Sequence, residues 1–464
     1  LEKPGRLAFV SSGSFSRNAA FAAAQSLIVS LCLFLAYRLV IGHAGLEQLG
    51  VLSLLFAATA FVRIGDVSGA ASLARFVAMR SPNGETHAAS EIVHTVLLTS
   101  FAFNGGLGFA IWVFAPMAIP SFIPPRLLTE SYMLVPWVIA TMVLGSIAVA
   151  VSSAIDGTQR ADQRAIVVIA SAVIFLVTCW ILVPRFGVIG YGASQVVQQA
   201  SISVFGWITL RRHIEGLGWL PFRWRKDLFI KTTGYALRLN ATGVAALMFE
   251  PLAKFAINSA GGPASVALYE LASRLVVQIR GMVISAAAPI VPAFAALSGP
   301  DAPQFRRMLT KGVKIVSVAS VGVCVLTFVA APVVSIVVLG YISKEMLYLN
   351  SALSIGWSIQ MNSLPFYMAG QAYGILRWNF LSHAFIAASV ATCAWLLVPS
   401  FGLTAVVAAI VVGLLGSLFP SLLGNAYSMR ALDILHSLRW WIVGSTVATL
   451  LAYAFAIFAI SSIL

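Results

Sequence analysis

Thirteen apolar stretches follow one another along this chain, each long enough to cross a bilayer as a helix. In the first half they fall near residues 18–41, 46–78, 88–119, 131–155, 165–184 and 187–210. In the second half they fall near 232–258, 263–297, 312–340, 346–374, 378–398, 402–428 and 437–463. A hydrocarbon core of about 30 Å takes roughly 20 helical residues, and inside it every backbone amide must find its partner within the segment. The fold is thereby restricted to an all-α polytopic membrane protein. Composition agrees, with 60% hydrophobic and 9% charged residues, far outside the range of soluble domains. The first stretch is too long for a signal-peptide core and no small-residue cleavage site follows it, so it is read as a retained helix.

The basic residues are distributed unevenly. Twenty of the 29 Lys and Arg fall on the side of the N-terminus and of the connector at 211–231, and only Arg38, Arg126, Arg185 and Lys344 fall on the other. The positive-inside bias predicts a cytoplasmic N-terminus and a cytoplasmic central connector. A net charge of +14 suits the anionic cytoplasmic leaflet. No basic patch interleaved with aromatics lies in a soluble domain, so no nucleic-acid partner is expected.

The chain repeats itself. Trp180-Ile-Leu-Val-Pro-Arg-Phe-Gly187 returns as Trp395-Leu-Leu-Val-Pro-Ser-Phe-Gly402, with six of eight residues identical at an offset of 215. The run from Arg63 to Ala71 aligns without gaps on the run from Arg280 to Ala288, at an offset of 217. Each repeat holds six spans, so both insert the same way, and such parallel repeats place their substrate site between the halves. The predicted organisation is an N-lobe at 1–210, a connector at 211–231, a C-lobe at 232–430 and an extra C-terminal helix at 431–464.

Ionised side chains are expensive at membrane depth and usually face a cavity or one another. Away from span ends they occur in the first two spans of each repeat. Arg63 and Asp66 are three residues apart; Glu250 and Lys254, and Glu270 and Arg274, are four apart, so each pair shares a helix face. Such pairs either fasten helices together or line a site. Arg38 and Arg280 have no acid within helical reach. Arg38, Arg63, Arg238, Lys254, Arg274 and Arg280 outnumber Asp66, Glu250 and Glu270 by three, which predicts a cationic cavity and an anionic ligand.

Enzyme chemistry finds little foothold. The six histidines are scattered without metal-ligand spacing, and Cys32, Cys179, Cys324 and Cys393 all lie in apolar spans. Asn104-Gly-Gly-Leu-Gly108 sits inside a span, where helix packing explains it better than a phosphate cradle. No Walker motif is present, and the outward connectors are too short for a glycan polymerase or ligase. No metal or cofactor is expected.

Two six-helix lobes, short loops, a basic central connector and Tyr269-Glu-Leu-Ala-Ser-Arg274 opening the eighth span resemble the polysaccharide-transport flippases. These are the O-antigen and exopolysaccharide flippases of the multidrug/oligosaccharidyl-lipid/polysaccharide exporter superfamily. The resemblance spans about residues 15–430. It implies that spans one, two, seven and eight line a central cavity and that the cargo is a polyprenyl-pyrophosphate-linked oligosaccharide. It also implies alternating access in the bacterial inner membrane, often coupled to a proton or sodium gradient, and contact with the polysaccharide polymerase machinery. Twelve or fourteen spans are usual in the family, against thirteen here. Drug/cation antiporters of the superfamily commonly keep an acid in the first helix, and 18–41 has none. On this basis Arg63 and Arg280 form a pyrophosphate clamp, with Arg274, Arg38, Lys254 and Arg238 as further contacts. Glu270 or Asp66, and after them Glu250, become the ion-coupling carboxylates.

Overall fold

In the computed structural model, residues 12–63, 69–70, 73–80, 86–287, 290–295, 297 and 299–463 are described. Helices are α1 (Ser12–Ala44), α2 (Leu46–Arg63), α3 (Leu73–Arg80), α4 (Thr86–Ala118), α5 (Leu128–Gly157), α6 (Ala161–Arg211) and α7 (Lys226–Ala287). They continue with α8 (Ile290–Ala295), α9 (Pro303–Leu339), α10 (Lys344–Met361), α11 (Leu364–Ala372), α12 (Arg377–Phe419), α13 (Asn425–Ser428) and α14 (Leu432–Ile463). Among the described residues there is no strand, and the all-α class is as expected.

Three of these helices are each two rods joined at a glycine. The breaks are Gly187 in α6 (φ 55°, ψ −133°), Gly262 in α7 (φ 74°, ψ −176°) and Gly402 in α12 (φ 54°, ψ −137°). Gly187 and Gly402 close the repeated octamer, and their backbone angles agree within a few degrees. A side chain there would strain the backbone, since this region is essentially glycine's own. Positive φ recurs in register elsewhere: Gly45 with Gly262, Gln159 with Gly374, and Gly216 with Arg430, at offsets of 217, 215 and 214. The sequence repeat is thus a repeat of turns.

The expected span at 46–78 is not one helix: α2 and the separate α3 divide it, with Gly69 and Ala70 lying outside both. Seven of the described helices are long and apolar enough to cross a membrane on length and composition, including the doubled Ala161–Arg211. Helix α10 falls outside that set for a physical reason. It is wrapped by protein and buries every residue from Leu349 to Met361, three serines included. A helix that meets no lipid has no need of an apolar surface.

The apolar core is shared at one end of the molecule and divided at the other. One cluster joins Phe34–Leu55, Ile119–Val138 and Phe175–Tyr191 of the first half to Ala253–Val276, Ala331–Leu353 and Ile386–Leu414 of the second. At the base-rich end each half keeps its own cluster. In the first it is built around Leu73, Ile92, Ile155 and Leu210, and in the second around Phe294, Phe305, Phe366 and Ile442. Gly50 marks how tightly the joined end closes, since a Cβ there would lie 1.8 Å from the carbonyl oxygen of Pro263. In α4, a Cβ on Gly108 would sit 2.6 Å from Ile139, so part of the glycine-rich run is indeed a packing surface.

Candidate functional site

The lining of a cavity of about 710 Å³ comes from α1, α2, α5, α6 and both rods of α7. The first, second, seventh and eighth spans take part, as the resemblance implies, and α5 and α6 join them through Thr141, Tyr191, Gln195 and Gln199. Pro251 of α7 cannot donate to the carbonyl of Leu247, and both residues line the cavity. The helix is therefore locally open where Glu250 enters.

Glu250, Lys254, Glu270 and Arg274 form one network on this wall. The Lys254 ammonium donates to Glu250 at 2.8 Å and to Glu270 at 2.6 Å. The Arg274 Nε donates to Glu270 at 2.6 Å, and its Nη2 reaches Glu250 at 3.3 Å. Tyr37 of α1 donates its hydroxyl to Glu270 Oε1 at 2.9 Å, and Ser53 of α2 donates to Oε2 at 2.8 Å. Glu270 thus accepts four donors, two on each oxygen, which is about the capacity of a carboxylate.

The four groups are not equally open. The side chains of Lys254 and Glu270 are 3% and 4% exposed, against 46% for Glu250 and 35% for Arg274. Lys254 and Glu270 are the buried, saturated half; Glu250 and Arg274 are the half that meets the cavity. Among the described residues no protein donor reaches Glu250 Oε2. Tyr191 stacks on Tyr37 with centroids 6.1 Å apart and accepts from the Gln195 amide at 3.0 Å. These polar aromatics fix the wall behind the network.

The other charged residues singled out by the sequence are not all brought to this wall. The predicted surplus of three positive charges is not found among the described lining residues, where two acids balance two bases. Arg38 is exposed and donates to the carbonyl of Val337 in α9. One residue past Tyr37, it lies about 100° around the helix from the face that meets the cavity. Arg280 is absent from the lining. Its guanidinium stacks on Trp357 of α10 at 3.9 Å from the ring centroid, beside the Tyr367–His383 hydrogen bond of 3.3 Å. Arg280 makes no ion pair among the described residues, and its Nε is buried without a partner. Asp66 and the side chains of Arg63 and Arg238 lie outside the described residues, so the Arg63–Arg280 match concerns helix position alone. Residues 46–63 make up α2 and Gly262 breaks α7, which puts both arginines 17 residues past a rod start at Leu46 and Pro263.

Tyr37, Ser53, Tyr191 and Gln195 were not singled out by the sequence. Their signal is weak, because a tyrosine or serine in a membrane helix commonly bonds its own backbone or a neighbour. Ionised residues announce themselves by cost; these do not.

The profile of the polysaccharide biosynthesis protein family matches residues 47–347. No curated protein matches the chain in sequence. Solved structures share its fold. An inward-facing multidrug resistance MATE family transporter of the MOP superfamily superposes with TM-score 0.72 at 15% identity, over 89% of this chain and 99% of that one. The lipid II flippase MurJ in an inward closed conformation gives 0.66 at 12% identity, over 96% and 100%. A MOP superfamily transporter from Pyrococcus furiosus gives 0.63 at 18% identity, over 90% and 96%. At these identities the likeness is one of fold.

Proposed function

The chain belongs to the polysaccharide biosynthesis protein family, and from that premise we propose that it is a flippase rather than an enzyme. Its cargo is a polyprenyl-pyrophosphate-linked oligosaccharide, carried across the bacterial cytoplasmic membrane for cell-surface polysaccharide biosynthesis. The N-terminus and central connector face the cytoplasm. The observation that carries this reading is the half-open Glu250–Arg274 pair on the cavity wall, backed by the buried Lys254–Glu270 pair. A lipid II flippase among the structural neighbours supports a lipid-linked cargo.

The rocking units are the lobes 1–210 and 232–430, hinged at 211–231, with 431–464 riding on the second. With the lobes joined at one end and separate at the base-rich end, cargo enters from the cytoplasm. Its pyrophosphate competes with Glu250 for Arg274, whose planar fork suits phosphate oxygens. Arg280 offers a second guanidinium with no carboxylate to displace. Once displaced, Glu250 is a half-exposed carboxylate deprived of a cation, and can take a proton. We therefore rank Glu250 ahead of Glu270 as the coupling group, with Asp66 a further candidate. Movement of the lobes then opens the joined end.

The test is the face on which lipid-linked glycan accumulates in cells carrying Arg274→Ala or Glu250→Gln. Accumulation on the cytoplasmic leaflet with the protein folded and inserted is expected. Normal glycan export in both variants, or drug efflux that both variants abolish while glycan export continues, would overturn the assignment in favour of another cargo.

A further inference from the structure

The start of α9 and the start of α14 border a recess of about 570 Å³, which shares no lining residue with the charged cavity. Its charged walls are Arg306, Arg307, Lys311, Lys314 and Asp433, with Ser437 beside them. Arg306 spends itself on Asp433 through two bonds of 2.5 and 2.9 Å. Arg307, Lys311 and Lys314 are spaced i, i+4, i+7 and so share one face of α9. None of the three has an ion pair among the described residues. Lys314 has only the ring of Trp441, with its ammonium 5.4 Å from the centroid. Among the described residues, three positive charges therefore face the recess without an ion-pair partner of their own.

The surroundings say what kind of anion fits. Immediately past the basic stripe, α9 turns Ile315, Val318, Leu326 and Val329 outward. Immediately past the recess, α14 exposes Trp440 and Trp441, and then Val443, Val447 and Leu451. Both helices thus change from charged to lipid-facing at one level, and the adjacent tryptophans mark it as the membrane interface. A soluble anion has no use for the exposed apolar surface that α9 and α14 present just past this recess. A lipid with a phosphate head uses both.

We propose that this recess binds the phosphate of an anionic glycerophospholipid, with its acyl chains laid against α9 and α14 below Trp441. The proposal concerns a resident lipid and does not depend on the transported cargo. Such a lipid would bridge α14 to the second lobe beside the Arg306–Asp433 pair.

The experiment uses the full chain in detergent and native mass spectrometry, with phosphatidylglycerol and phosphatidylcholine offered at equal mole fraction. Wild type should retain phosphatidylglycerol preferentially. The Arg307→Gln, Lys311→Gln, Lys314→Gln variant should lose that preference by roughly tenfold or more, since each base near a membrane surface adds to anionic-lipid affinity. Lys311→Gln alone should lose part of it and guards against a triple variant that fails to fold. Arg212→Gln, Arg223→Gln, Lys231→Gln, which removes the same charge from the central connector, should keep it. Equal loss in that control would mean diffuse charge and overturn the site, as would undiminished preference in Lys311→Gln and the triple variant. Displacement of the lipid by millimolar inorganic phosphate would mark an anion site without a lipid and would also overturn the proposal.

Discussion

The two halves of this protein share a fold and divide their polar interiors differently. The first half, with α7 laid against it, is hollow, and the charges on its cavity wall are paired. In the second half the buried polarity is mostly neutral. Asn362 accepts from Ser317 at 2.9 Å and from Ser445 at 3.0 Å, tying α9 and α14 to the end of α10. Asn425 donates to Asn379 at 2.9 Å. The ionised exception on that side is Arg280, which has an aromatic ring and no acid. Where a cavity admits water and ligand, ionised pairs can be held half-open; where packing excludes water, amides and hydroxyls satisfy one another at smaller cost.

That comparison breaks most violently at Glu270. Removing it leaves Lys254 buried with only the outer carboxylate of Glu250. Breaking a buried ion pair from one side typically costs about 3–5 kcal/mol. Glu270→Ala should therefore lower the thermal unfolding midpoint in detergent more than any other single change named here. Adding Lys254→Met should restore much of the stability, because the orphaned charge goes with it, and should leave transport dead. Transport that recovers along with stability would show the network to be a fastener and nothing more.

The neutral side should respond less. Asn362→Ala strips two buried hydroxyls of their shared acceptor, and a lost buried partner costs about 1–3 kcal/mol. The expected signature is local: faster hydrogen exchange or proteolysis in α14, with the cavity network and transport intact. Uniform destabilisation of the whole chain would mean that α14 is integral to the second lobe rather than riding on it.

The legibility of these features in the sequence follows their energetic cost. Ion pairs inside apolar spans stand out because so few residues there are charged, and the two pairs at four-residue spacing are found as pairs. The repeat was legible because Gly187 and Gly402 must be glycine, and the octamers around them survived in both halves. The partners of Glu270 were not legible. Tyr37 and Ser53 lie 233 and 217 residues away in the chain, and nothing in their own spans requires them to face a carboxylate. The direction of Arg38, toward the carbonyl of Val337, was hidden for the same reason: a span shows that a residue is at depth, while neighbours decide which way it points.

Arg280 sharpens the comparison through a dissociation of two readouts. The guanidinium gives up no ion pair when removed, only its stacking on Trp357, and cation–π contacts are worth about 0.5–2 kcal/mol. Arg280→Ala should shift the unfolding midpoint little and reduce glycan export much more. Arg280→Lys should keep the charge and the stability but not the planar fork, and export should stay low. Equal proportional loss of stability and export in both variants would reduce Arg280 to a packing residue.

The smallest effect is expected outside the membrane, where the central connector is pinned to the first half. Arg225 bonds Glu91 of α4 at 2.8 Å and Asp227 at 2.8 and 3.0 Å. Its hydrogen bonds to the Asp227 carboxyl hold that group below the usual carboxylate range. A depressed carboxyl pKa contributes stability above the unfolded value, near 3.9, and loses it as pH falls through the folded value. Between pH 7 and 5 the difference between wild type and Arg225→Gln should therefore stay constant, and it should shrink only below about pH 4. The cluster is open to water, so salt should erode it too, because exposed charges are screened over about 10 Å at 0.1 M. Unfolding midpoints at low and at roughly 1 M salt test this directly. A difference that survives high salt would mean that Arg225 acts through packing against α4, and that the connector is a rigid strut rather than a tether between the lobes.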